Sequence, residues 1–111
     1  GVALRVPIIV GSISDVTCVV KKKTSVEEVN GVFKEAVNNP LWKNIVAVTE
    51  EPLVSADIIG RGESAIVDLS LTKVIGGDLV KVFAWYDNEW GYTNTLAEHA
   101  LKVADVLVLS S

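Results

Sequence analysis

Methionine is absent from the chain, cysteine and histidine occur once each, and proline three times. A single cysteine excludes an internal disulfide and suits a reducing compartment, so a cytoplasmic location is expected. One histidine and one cysteine, with no second such ligand near either, leave no zinc-type metal site. No apolar run reaches the roughly 18 residues that a membrane span needs, and nothing at the start has the layout of a signal peptide. Basic residues are also scarce: 10 Lys and Arg stand against 14 Asp and Glu, for a net charge of −4. That balance argues against nucleic acid, because phosphate binding needs clustered Lys and Arg. The only basic run, Lys21-Lys22-Lys23, reads as a solvated strand end. With no methionine, and with Gly1 in front of an apolar pattern, the 111 residues are expected to be a piece of a longer polypeptide that begins in mid-domain.

Against these shortages stands an ample supply of core-forming residues. Half of the chain is hydrophobic and the mean hydropathy is +0.41, far from the composition that stays disordered. The apolar excess predicts buried strands and a subunit interface. Ala3 to Val10 is apolar apart from Arg5 and reads as a strand. Ser12 to Val20 alternates, with Val16, Cys18 and Val20 on one face, and reads as a second. Thr24 and Ser25 ahead of Glu27 and Glu28 predict a helix start, and Asn38-Asn39-Pro40 predicts its stop. A short strand is expected over Ile45 to Val48 and a turn-rich excursion from Glu51 to Gly62. Ala65 to Ile75 and Leu79 to Tyr86 flank Gly76-Gly77-Asp78 and predict a hairpin. From Glu89 to Leu107 a stripe of Leu96, Ala97, Ala100, Leu101, Val103, Ala104 and Leu107 predicts a C-terminal amphipathic helix.

Few residues carry candidate chemistry. Cys18, on the apolar face of a strand, is expected to be core packing rather than a nucleophile. His99, on the polar face of the last helix, is expected to be solvated. Gly60-Arg61-Gly62 lacks the third glycine and the context of a dinucleotide fingerprint and reads as a loop. Arg5 within an apolar strand is expected to meet an anion or a carboxylate, both of which suit its planar fork. Aromatic residues make up only 6% of the chain, yet four of them fall in the stretch 85–92, WYDNEWGY. Trp85 and Trp90 are expected to pack against sheet and helix while Asp87 or Asn88 caps the helix. Asn88 and Tyr92, one helical turn apart, are then placed to face one crevice, where the amide and the flat phenol suit a ring bearing a carboxamide.

Gly1-Val2-Ala3-Leu4-Arg5-Val6-Pro7, Val26-Glu27-Glu28-Val29-Asn30, Thr49-Glu50-Glu51-Pro52-Leu53-Val54-Ser55, Asp78-Leu79-Val80-Lys81-Val82 and WYDNEWGY with Thr93-Asn94 together resemble the C-terminal part of glyceraldehyde-3-phosphate dehydrogenase, in the family's order. The resemblance covers essentially residues 1–111 as one portion of a catalytic domain. It implies an α+β fold with a mixed, largely antiparallel sheet, helices on one face, and a separate dinucleotide domain outside this chain. It further implies a homotetramer that oxidises glyceraldehyde 3-phosphate with NAD or NADP and inorganic phosphate. By resemblance Arg5 matches a phosphate-binding arginine, Asn88 the asparagine on the nicotinamide carboxamide, and Tyr92 the tyrosine beside the ring. The catalytic cysteine and histidine are expected to lie before Gly1, which leaves the chain alone inactive. Erythrose-4-phosphate dehydrogenase and a non-catalytic oligomer-binding fragment remain alternatives. Two departures stand out: Ile8-Ile9-Val10-Gly11 replaces a Pro-Asn type turn, and Thr95 replaces a basic residue.

Overall fold

The computed structural model describes residues 1–109. Its core is a five-stranded mixed sheet, β1 (Ser12–Val19), β2 (Val46–Thr49), β3 (Ala65–Asp68), β4 (Lys73–Ile75) and β5 (Leu79–Tyr86), in the order β1-β5-β3-β2 with β4 also on β5. β2 and β3 are parallel and every other pair is antiparallel. Three helices complete it: α1 (Val26–Ala36), the single turn α2 (Ser55–Ile58) and the long C-terminal α3 (Trp90–Leu109). The α+β class with a mixed, mainly antiparallel sheet is thus the one the family resemblance implies.

Local chemistry explains most element ends. Ser25 accepts the Glu28 amide at 3.2 Å and Glu28 is held in turn by the Thr24 hydroxyl at 2.9 Å, so α1 starts where the capping signal places it. Its exit is closed by the Asn38 amide on the Lys34 carbonyl. In the β4–β5 hairpin Gly76 and Gly77 have φ of 62° and 81°, a region that side-chain-bearing residues avoid. Lys23 locks that turn by reaching the Gly76 carbonyl and the Asp78 carboxylate at 2.8 and 2.7 Å.

Four expectations need correction. Residues 1–11 form no strand: Val2, Leu4 and Ile9 are 87, 83 and 100% exposed. A strand needs a paired edge, and Pro7 lacks the amide that a ladder would use. Cys18 is exposed, not buried, because its face of β1 has no cover in this chain, and neighbouring Val16 is also exposed. The predicted strand 65–75 is two strands separated by a 3-10 turn, Leu69–Leu71. The cause is Asp68, whose carboxylate accepts from the Ser70 amide and hydroxyl and so diverts the backbone from its ladder. Trp90 is 62% exposed rather than packed, whereas Trp85 is tied to the sheet by its indole N–H on Asp68 at 3.3 Å.

The apolar core comprises Ile58, Ile66, Val67, Leu69 and Val80, each nearly or fully buried. Beyond its first turn, α3 leaves Leu96, Leu101, Val103 and Val106 largely exposed. The Cα radius of gyration, 16.1 Å, exceeds the roughly 13 Å of a closed domain of this length. The excess is what a projecting helix and an extended N-terminal segment produce.

Candidate functional site

The corner between β5 and α3 is built around one buried carboxylate. Asp87, 1% exposed, ends β5 and accepts three backbone amides: Glu89 at 2.8 Å and Trp90 at 2.9 Å through Oδ1, and Gly60 at 2.9 Å through Oδ2. The first two satisfy amides that the start of α3 would otherwise leave without partners, and the helix dipole favours a negative charge there. The third ties in the loop after α2, where Gly60 has φ of 80°. These amides, led by that of Gly60, hold the Asp87 carboxyl below the ordinary aspartate range despite its burial. Asp87 is thus the cap, and the alternative cap Asn88 is left for another task.

The same loop forms the second wall. Arg61 grips Glu63 through two hydrogen bonds, of 2.9 and 3.1 Å, which hold the Glu63 carboxyl below its ordinary range. The Glu63 carbonyl then lies so close to α3 that a Cβ on Gly91 would stand 2.7 Å from it. Only glycine admits this approach. Next along the loop, the Ser64 hydroxyl bonds to that of Thr95, which itself donates to the Gly91 carbonyl at 2.9 Å. Asn94 adds a bond from its amide to the Gly62 carbonyl.

Between these walls lies a crevice of about 320 Å³ lined by Ser64, Tyr86, Asp87, Asn88, Tyr92 and Thr95. Its size is at the lower end of small-molecule sites, roughly 300–1,000 Å³, and suits one ring rather than a whole dinucleotide. Asn88 and Tyr92 do meet in one crevice, as their spacing predicts. Tyr92 is 68% exposed and offers a ring face and a hydroxyl. Asn88 Oδ1 accepts the Gly11 amide at 3.4 Å. A backbone N–H can meet only an acceptor, so this bond fixes which end of the Asn88 amide is the oxygen. Arg5 lies on the exposed segment before Gly11 and is not among the lining residues, and neither are Cys18 and His99. The sequence reading named Asp87 or Asn88 as the cap, and Asp87 fills that role. It missed the tie from Asp87 to Gly60, the Gly91 approach and the Ser64–Thr95 pair, each of which joins residues about 30 positions apart.

Residues 1–88 match the family described as glyceraldehyde 3-phosphate dehydrogenase, C-terminal domain. The chain belongs to the glyceraldehyde-3-phosphate dehydrogenase family. It is 54% identical over 88 residues to the glyceraldehyde-3-phosphate dehydrogenase of Thermotoga maritima, an alignment covering 79% of this chain and 26% of the relative. It is also 51% identical over 104 residues to glyceraldehyde-3-phosphate dehydrogenase 2 of Synechocystis sp., covering 94% of this chain and 31% of the relative. The chloroplastic glyceraldehyde-3-phosphate dehydrogenase A of Chlamydomonas reinhardtii is 49% identical over 100 residues, covering 90% and 26%. The chain therefore spans about a quarter to a third of the length of the curated relatives it matches. Among the described residues there is no cluster of three metal-ligating side chains, and no helix is long and apolar enough to cross a membrane. For the dehydrogenase family the informative feature is the donor set. Asn88 and Tyr92, which line the same crevice, are the side chains that could hold a flat ring bearing an amide.

Proposed function

We propose that this chain serves, within a longer subunit, a phosphorylating glyceraldehyde-3-phosphate dehydrogenase that uses NAD or NADP. The observation that carries this reading is the crevice that Asn88 and Tyr92 share. When bound, the nicotinamide supplies the hydride acceptor for aldehyde oxidation. The residues of this chain hold and orient it. Asn88 Nδ2 donates to the carboxamide carbonyl and Tyr92 walls one side of the ring. Arg5, exposed on the N-terminal segment, supplies a cation for a phosphate. The exposed apolar residues of β1 and α3 support burial against the rest of the subunit and within a homotetramer.

Aldehyde oxidation of this class needs a thiolate with a base in hydrogen-bond reach. Cys18 sits exposed on β1 and His99 on α3, both outside the crevice. The nucleophile and base are therefore assigned to other parts of the subunit. Full-length polypeptide given glyceraldehyde 3-phosphate, inorganic phosphate and NAD or NADP is expected to reduce the cofactor in a phosphate-dependent way. The 111 residues alone are expected to reduce none. Preference for erythrose 4-phosphate would transfer the assignment to that dehydrogenase, and no reduction of either cofactor would reject the enzyme reading.

A further inference from the structure

Asn30-Gly31 is the only asparagine-glycine pair in the chain. An asparagine ahead of glycine is open to attack on its own side chain, because no Cβ shields the next backbone nitrogen. The Gly31 nitrogen adds to Asn30 Cγ, and the Cγ–NH2 bond breaks. The NH2 leaves with the Gly31 proton as ammonia, and water then opens the cyclic imide at either carbonyl to give aspartate or isoaspartate. No oxidant or reductant enters. In the folded chain both reacting groups are held. The pair lies in the middle of α1, where helix geometry engages the Gly31 N–H with the carbonyl four residues back. Asn30 Nδ2 donates to the Leu69 carbonyl at 3.1 Å, which ties α1 to the 3-10 turn. Asn30 Oδ1 is buried as well, with no partner among the described residues. The hold on the helix is slight, since α1 has no fully buried residue, whereas β3 and β5 supply Ile66, Val67 and Val80 to the core. Elements with little buried apolar surface open locally before the rest, and Gly31 itself weakens the helix.

We infer that Asn30 is a site of spontaneous deamidation, gated by local opening of α1, whose product cannot restore the contact it replaces. A carboxylate, ionised at neutral pH, has no proton to give the Leu69 carbonyl. It sets acceptor against acceptor there and brings a charge to a place where one side-chain oxygen already lacks a donor. Each conversion leaves α1 less able to close, so the modification accumulates in one direction and records the time the helix has spent open. Nothing in this depends on the cofactor reading.

The test is ageing of the full-length polypeptide, folded in buffer and in parallel unfolded in urea, followed by digestion with trypsin. Cleavage after Lys23 and Lys34 releases residues 24–34, in which Asn30 is the only amide side chain. Chromatography separates the aspartate and isoaspartate forms of that peptide, and mass spectrometry reads the replacement of NH2 by OH. In the folded sample both forms are expected to accumulate at the unfolded rate multiplied by the open fraction that hydrogen exchange at the α1 amides reports. Gly31→Ala, which the open space around Gly31 accommodates, is expected to lose the conversion in both samples. Asn30→Asp, which installs the product directly, is expected to quicken exchange at the α1 amides roughly three- to tenfold, the worth of one hydrogen bond, with the β1–β5 ladder unchanged. Conversion as fast in the folded sample as in urea, conversion confined to molecules whose β1–β5 ladder has opened, or unchanged α1 exchange in Asn30→Asp would each overturn the inference.

Discussion

Asp87→Ala is expected to cost about 2–4 kcal/mol of folding free energy: a helix cap is worth about 1 kcal/mol, and an orphaned buried amide adds roughly 1–3 kcal/mol. Three amides lose their acceptor at once, those of Gly60, Glu89 and Trp90. Because they belong to two different segments, the variant should loosen the loop after α2 and the start of α3 together. Hydrogen exchange at these three amides should quicken together while the β1–β5 ladder keeps its protection. A variant in which only the α3 amides exchange faster would mean that Gly60 finds another acceptor. The pH dependence has a definite sign. The Asp87 carboxyl is lower in the folded state than in the unfolded one, so its stabilisation is complete above the ordinary aspartate value, near 3.9. It is lost as pH falls through the folded value. The penalty of Asp87→Ala should accordingly be greatest near neutrality and shrink in acid.

The second large effect is expected at Gly91. Alanine there would put its methyl 2.7 Å from the Glu63 carbonyl oxygen, against backbone rather than a yielding side chain. Helix propensity alone would favour the change by nearly 1 kcal/mol. Overpacking of this kind costs about 1–3 kcal/mol, so the clash prevails. Relief requires α3 to move away from the loop, which would also part Ser64 from Thr95 and widen the crevice. Gly91→Ala should therefore lower the unfolding midpoint and also weaken cofactor binding by about tenfold. Gly31, in the middle of α1, is the control: nothing lies within 4 Å of a Cβ placed there, and Gly31→Ala should be neutral or stabilising.

What could be read in the sequence was what short-range chemistry decides. The α1 cap is settled within four residues, and so are the glycine turn of the hairpin and the alternation of β1. The meeting of Asn88 and Tyr92 joins residues four apart across the start of α3. Where the reading failed, the deciding partner was distant or outside the chain. Residues 3–10 have strand composition, yet nothing offers them an edge. Cys18 alternates correctly, but burial requires something to cover its face. Asp68 is one polar residue in an apolar run, and its bonds to Ser70 and Trp85 break the strand in a way that hydropathy does not signal. Ser64 and Thr95 are unremarkable residues in sequence and become a pair only because Gly91 lets α3 approach the loop.

The central claim is that the β5–α3 corner holds the nicotinamide end of the cofactor through Asn88. Its most direct test is the affinity of full-length polypeptide and its Asn88→Ala variant for NAD or NADP, set beside that for the matching ADP-ribose, which lacks the nicotinamide. The account predicts roughly tenfold weaker dinucleotide binding in the variant, with ADP-ribose affinity unchanged. Equal losses for the two ligands, or no loss for either, would contradict it.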